Sequence, residues 1–273
     1  MNFDAIPIAG IFAGTVFVVM AAIELGHRLG LANHRRGHDD KDSATSTISG
    51  AILGLAGFML AFTFAIVAER YDARKALVRE DANAIRTAWQ RSDFLPEEER
   101  GEASALLREY VDLRVKFATG RTLGAAAVQT MLAETQRLQD RLWDMAVVNA
   151  RKDMNSDVAA MYIDSLNAVN EIHASRIAVG LQARIPWEIW IVLYFVTILG
   201  MLAVGYQTGV AGAKPSLARP IIAFSFSLSF ALVFALIAAL DRPDSGILSV
   251  TQQPLIDLYD SMTAAAVSST EDP

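Results

Sequence analysis

The sequence predicts an all-α membrane protein: four transmembrane helices in two hairpins, with a four-helix extramembrane bundle inserted between them. Three observations predict it. Four apolar stretches of roughly twenty residues are each long enough to cross about 30 Å of hydrocarbon as a helix. Between the second and third, residues 68–186 hold 17 of the 24 basic and 18 of the 30 acidic residues, a solvated segment of nearly balanced charge. Finally, 53% hydrophobic residues and a mean hydropathy of +0.31 over 273 residues are too apolar for an ordinary soluble domain and too polar for a wholly buried bundle.

The stretches are 6–25, 48–67, 188–206 and 220–240. The leader MNFDA carries an acid and no Lys or Arg, unlike the basic start of a secretory signal, so the first stretch reads as a retained span. Short loops at 26–47 and 207–219 close the two hairpins. Tyr71, Val78, Ala82, Ile85 and Trp89 recur at helical spacing, and no Gly or Pro falls between Phe58 and Leu95, so the second span is expected to run on into water as one long helix. Pro96 with Glu97, Glu98 and Glu99 marks the next helix start, because proline's fixed φ suits a first turn and the acids oppose the positive dipole end. Leu106, Tyr110, Leu113 and Phe117 give that helix an apolar stripe that stops at Gly120. A third helix carries Val128, Met131, Leu138, Leu142 and Met145, and Ser156 caps a fourth with Val158, Tyr162, Leu166, Val169 and Ile172 on one face.

The expected organisation is therefore a first transmembrane hairpin over 1–67, the bundle over 68–186, a second hairpin over 187–241 and a tail over 242–273 packing near the bundle base. Four helices returns the chain to the side it left. Orientation stays open. The short loops hold Arg28, Arg35, Arg36, Lys41, Lys214 and Arg219 against Arg242 alone in the tails, which places the loops in the cytoplasm; Arg70, Arg74, Lys75, Arg79 and Arg86 at the bundle base pull the other way.

Composition excludes much chemistry. No cysteine means no disulfide, thiolate or iron–sulfur site. A net charge of −6 and pI near 5.3 disfavour nucleic acid as a partner. Three of the four histidines lie at 27, 34 and 38 beside Asp39, Asp40 and Asp42. A metal reading of that loop is weak, because Gly30, Asn33 and Gly37 argue against a helix that would hold the spacing, and arginines meeting lipid phosphates fit better. No nucleophile with a base, carboxylate pair or phosphate loop is visible, so neither an enzyme nor a cofactor is expected.

In the second span Gly50, Gly54, Gly57, Ala61 and Ala65 form a small-residue stripe that lets another helix approach closely. Beside it, Phe58, Phe62 and Ile66 would form rings around an axis shared by several copies, a constriction that gates by dewetting; the competing reading sends them to lipid or to the intrachain core. Ser225 and Ser229 share a face of the fourth span, where back-bonding to the helix competes with a role for passing ions. Trp187, Trp190, Tyr194 and Tyr206 read as interfacial anchors. Asp241 ends the fourth span, and a carboxylate at the edge of hydrocarbon demands a partner, so Arg70 or Arg74 is expected to clamp it, with Arg242 beside it and Pro243 shaping the turn. Asn83, Arg86, Asn167 and Asn170 are polar groups expected to set helix register inside the bundle.

The stretch AERYDARKALVREDANAIRTAWQRSDFLPEEER, the later LLREYVDLR and ALDRPDSGILSV after the fourth span resemble the bacterial bestrophin-like family over about residues 45–260. The resemblance implies a multi-pass protein of the bacterial inner membrane and a homo-oligomer in contact with lipid. Bestrophins proper are pentameric ion channels lined by their second transmembrane helix, with an apolar neck of one Ile and two Phe at four-residue spacing. Phe58, Phe62 and Ile66 stand at that spacing in the opposite order. The acidic calcium cluster of animal bestrophins has no match, and bestrophin topology puts the large domain in the cytoplasm, opposite to the short-loop count. The leading expectation is an oligomeric ion channel that passes inorganic ions. Its rival is a non-conducting membrane scaffold or sensor whose bundle binds a partner protein, favoured by the lack of charge within the spans.

Overall fold

The computed structural model describes residues 6–36, 42–119, 125–211, 218–242 and 248–271. Among the described residues the helices are α1 (Ile8–Arg35), α2 (Asp42–Ser92), α3 (Glu97–Thr119), α4 (Ala125–Lys152), α5 (Asp157–Ile177), α6 (Trp187–Val210), α7 (Ala218–Asp241) and α8 (Gln253–Glu271), with a π-helical turn at Ala178–Gln182 after α5. Among the described residues there is no strand. Four of the helices, α1, α2, α6 and α7, are long and apolar enough to cross a membrane. The chain divides into two compact units, one of Met1–Tyr71 with Arg184–Ser249, the other of Asp72–Ala183 with Val250–Pro273. The 51-residue α2 belongs to both.

In the membrane unit α1 packs against α6 and α7. The α1–α6 crossing is close because glycines face backbone on both sides. A Cβ at Gly26 would overlap the Leu202 carbonyl, one at Gly30 the Tyr206 carbonyl, and ones at Gly205 and Gly209 the carbonyls of Ile23 and His27. Small residues of this kind let helices approach where lipid offers no hydrophobic drive. They also explain why α1 continues to Arg35 instead of breaking near Gly30: that glycine is used for contact, and a helix interior tolerates it at a cost of about 1 kcal/mol. Trp190, Tyr194 and Phe234 form an aromatic cluster, with Tyr194 and Phe234 ring centroids 4.4 Å apart. Trp190 is buried, and the Tyr194 hydroxyl lies 2.7 Å from Thr15 Oγ1. Of the four aromatics expected as interfacial anchors, these two instead pack inside the unit, because their rings stack against Phe234 of α7 and the Tyr194 hydroxyl finds a partner in Thr15.

The second unit has one apolar core, in which Val78, Ala82 and Ile85 of α2 meet Leu106, Leu107 and Tyr110 of α3, Leu138 and Leu142 of α4, and Tyr162, Leu166 and Val169 of α5. Local signals fix the ends. Pro96 C=O accepts from Arg100 N–H at 3.0 Å, Glu97, Glu98 and Glu99 fill the first turn of α3, and Ser156 Oγ accepts from Ala159 N–H at 3.2 Å to cap α5. The tail adds an element that the sequence reading left without secondary structure. Residues 253–271 form α8, whose Leu255, Leu258 and Met262 are buried in the same core. Each fully buried leucine contributes about 1.5–3 kcal/mol, so α8 is a structural member of this unit.

Candidate functional site

The membrane-spanning half of α2 presents two unlike faces. Ala56, Leu60, Thr63 and Val67, at spacings of four, three and four, are buried within the unit, and Thr63 donates its hydroxyl back to the Met59 carbonyl at 2.8 Å. On the other side Gly50, Gly54 and Gly57 have nothing within 4 Å of where a Cβ would stand, and Ala61 and Ala65 are exposed. Phe58 is 66% and Phe62 58% exposed; their rings stack with centroids 6.4 Å apart and planes inclined by 18°. Ile66, one turn on, is half-buried. The described residues therefore leave the whole stripe and the two phenylalanines uncovered.

At the end of α7, Asp241 is 7% exposed and its carboxylate serves two partners. Oδ1 accepts from the Ile185 backbone N–H at 3.1 Å and stands 3.8 Å from Arg70 Nη1, while Arg184 Nη1 donates to the Asp241 carbonyl at 3.2 Å. Arg242 reaches the Ile6 carbonyl at 2.6 Å. One carboxylate thus ties the lower part of α2, the entry to α6 and the end of α7, and the backbone N–H is the closer partner. Arg74, the alternative arginine, falls in the other unit, and Pro243 lies outside the described residues.

The bundle holds a buried polar network. Asp81 of α2 is fully buried. Its Oδ2 accepts from Arg114 of α3, through Nε at 3.2 Å and Nη2 at 2.8 Å, and from Arg176 of α5. Arg114 Nη1 lies 2.8 Å from His173 Nδ1, and Arg176 Nη2 donates to Gln252 Oε1 at 3.0 Å. The arginine has no lone pair to offer, so the imidazole accepts at Nδ1 and is neutral. Burial first, then the charges of Arg114 and Arg176, push His173 down to about 4, although Asp81 opposes this. Burial pushes the Tyr110 hydroxyl, which stands beside the network, up to about 12. One carboxylate faces two guanidinium groups, so an excess positive charge is desolvated here. Burial, followed by the nearby Arg114, lowers Arg176. Such a group is costly in itself and serves chiefly to fix which elements meet.

The sequence matches the family described as Bestrophin-like domain over residues 13–255. The chain belongs to the bestrophin-like family. Among curated proteins none matches it. Solved structures similar to this bestrophin-like chain include a membrane protein bearing a serine-to-alanine substitution, at TM-score 0.62 and 14% identity, covering 97% of this chain and 98% of that one. Two crystal structures of a bacterial bestrophin homologue from Klebsiella pneumoniae are also similar. The one with an isoleucine-to-threonine substitution gives TM-score 0.58 at 16% identity, covering 93% and 97% of the two chains, and the isoleucine-to-alanine form gives 0.57 at 13%, covering 92% and 94%. At such identity the likeness concerns the fold: an all-helical, multi-pass membrane protein.

Several expectations change in this bestrophin-like fold. Asn83, Arg86 and Asn167 are exposed and Asn170 is half-buried, so the polar groups that set register inside the bundle are instead Asp81, Arg114, His173 and Arg176. The signal was present: Asp81 lies three residues after Val78 and four before Ile85, on the buried stripe, whereas Asn83 and Arg86 point off it. The histidine cluster is also rearranged. His27 and His34 sit on α1, with His27 Nδ1 3.2 Å from Thr208 Oγ1 and His34 exposed, while His38, Asp39 and Asp40 lie outside the described residues. Among the described residues no group of His, Cys, Asp and Glu is placed to hold a metal. Glu24 pairs with Arg28 at 2.9 Å and with Arg219, joining α1 to α7, and the Ser229 hydroxyl donates to the Ser225 carbonyl at 2.9 Å.

Proposed function

We propose that this bestrophin-like protein conducts inorganic ions across the bacterial inner membrane as a ring of identical copies, five by resemblance to bestrophins proper. The membrane-spanning half of α2 lines the path. Phe58, Phe62 and Ile66 form the constriction, and Gly50, Gly54, Gly57, Ala61 and Ala65 receive the neighbouring copy. The observation that carries this reading is the uncovered face of α2. The outward surfaces of α1, α6 and α7 carry large apolar side chains such as Phe17, Leu29, Phe195, Ile221 and Leu232, suited to lipid. The open surface of α2 also exposes Ile48, Leu55 and Phe64, but a continuous strip of it, Gly50, Gly54, Gly57, Ala61 and Ala65, is glycine and alanine, which offers lipid little and lets another backbone come close. Two phenylalanines one turn apart at the edge of that face become stacked apolar rings when the helix is repeated about an axis, and such rings exclude water until they part. Asp241 with Arg70 clamps the end of α7 against α2, which holds the lining helix in register.

Two measurements test it. Particle size of the purified protein in detergent or nanodiscs is expected to correspond to a closed ring. Liposomes containing that ring are expected to pass ions, and Phe62→Ala is expected to raise the flux by roughly an order of magnitude by widening the constriction. Ion-tight liposomes from a confirmed ring would transfer the protein to the scaffold class, and a single-copy particle would remove the pore altogether.

A further inference from the structure

Among the described residues, six large apolar side chains stand exposed on the bundle unit, and five of them, Phe94, Val148, Met154, Val158 and Met161, belong to one end of it. The up-and-down path brings together the end of α2, the start of α3, the end of α4 and the start of α5. Two contacts tie these ends: Arg91 Nη1 donates to the Met161 carbonyl at 2.6 Å, and Lys152 pairs with Glu99. Met154 is 82% exposed at the α4–α5 turn, and Val158 and Met161 follow on the first turns of α5. A cluster of this kind on a solvated unit marks a contact surface, whereas scattered apolar residues do not.

Charge decides what the surface fits. Residues 91–100 and 151–157 carry Asp93, Glu97, Glu98, Glu99, Asp153 and Asp157 against Arg91, Arg100, Arg151 and Lys152. Lys152 pairs with Glu99, while Arg91 donates to the neutral Met161 carbonyl and keeps its charge, which leaves five carboxylates around the apolar centre against three arginines. An acidic rim repels a second copy bearing the same rim, and repels an anionic lipid surface. We infer that this end of the bundle is a docking surface for a cationic amphipathic segment of another protein, whose apolar face covers Phe94, Met154 and Met161 while its lysines or arginines meet Asp93, Glu98 and Asp153. Flexible methionine side chains adapt to such a helix, as at other apolar grooves that receive one. The inference stands whether or not the spans conduct.

The test uses the full chain in nanodiscs of neutral phosphatidylcholine and a fluorescent helical peptide with a leucine face and a lysine face, with a glutamate-for-lysine peptide as its counterpart. The lysine peptide is expected to bind and the glutamate peptide not to. The variant Phe94→Ser with Met154→Ser, at positions half or more exposed, is expected to melt like the parent and to weaken binding about ten-fold or more. Asp93→Asn with Glu98→Gln is expected to weaken binding and to flatten its salt dependence. Equal binding of the two peptides, equal binding to empty discs, or an unchanged affinity in the serine variant overturns the inference. So does a smaller particle in the serine variant, which would assign the patch to contact between copies.

Discussion

Two glycine stripes in the membrane unit look alike in sequence and are used differently. Gly26 and Gly30 on α1, and Gly205 and Gly209 on α6, stand four apart and are filled by backbone of the facing helix; Gly50, Gly54 and Gly57 on α2 stand four and three apart and face nothing within 4 Å among the described residues. A small-residue stripe says that a close approach is possible at that face. It does not say whether the partner is in the same chain. Here the described helices fill the α1–α6 stripe and leave the α2 stripe uncovered, which is the observation behind the proposal of a neighbouring copy at α2.

The difference breaks most sharply under substitution. Gly205→Leu puts a Cβ into the Ile23 carbonyl, a backbone atom that no rotamer change can clear. We expect a loss above about 3 kcal/mol, read as aggregation in size-exclusion profiles and failure to purify. At Gly54 an added Cβ has nothing within 4 Å among the described residues, so for Gly54→Leu helical content by circular dichroism is expected to be unchanged while the particle shrinks below ring size. A Gly54→Leu protein that still forms the full ring would show that α2 packs elsewhere.

Among the described residues the two units also bury one carboxylate each, and the contrast predicts unequal losses. Among the described residues Asp81 is the anion that pairs with both Arg114 and Arg176. Asp81→Ala leaves two desolvated cations opposed, and we expect a loss of about 3–5 kcal/mol, seen as a large fall in thermal midpoint and exposure of the bundle to protease. Asp241→Asn keeps an oxygen for the Ile185 N–H and removes only the charge that Arg70 faces at 3.8 Å across a third-exposed guanidinium. Solvent screens that pair, so the expected loss is about 1 kcal/mol and the midpoint falls by a few degrees. An unchanged midpoint would remove the charge clamp between Asp241 and Arg70.

The four spans and the long α2 were legible because membrane thickness and the absence of Gly and Pro after Phe58 act on contiguous sequence. Pro96 and Ser156 were legible for the same reason, since a helix start is fixed by its own first turn. What was not legible depends on contacts between distant residues. Gly30 looks like a breaker until Tyr206 is placed against it, and Trp190 looks like an interfacial anchor until Phe234 covers it. The Asp81 network joins residues 33, 59, 76 and 95 apart in sequence, so a polar residue on an apolar stripe was its sole local trace. At α2 the pattern of small and aromatic residues was readable, and the structure adds that the described residues leave that face uncovered.

The gentlest probe of the bundle's side of the comparison is pH. His173 accepts a hydrogen bond from Arg114 and is held neutral in the folded chain down to about 4, against an ordinary value of 6.5. A depressed value means that the unfolded chain takes up a proton, as pH falls below 6.5, which the folded chain declines. The stabilising contribution is therefore complete above about pH 6.5 and is lost as pH falls from there through 4. Between pH 7 and pH 5 we expect about 1–2 kcal/mol of it to disappear, a drop of a few degrees in thermal midpoint. Carboxylates titrate over the same interval in any variant, so the readout is the difference from His173→Gln, whose side-chain oxygen accepts the same Arg114 donor without binding a proton. That variant is expected to show the shallower profile. Parallel profiles would mean that His173 holds the same protonation state folded and unfolded, and the Arg114 contact would then be one bond among many rather than the element that keeps two buried guanidinium groups compatible with a third basic side chain.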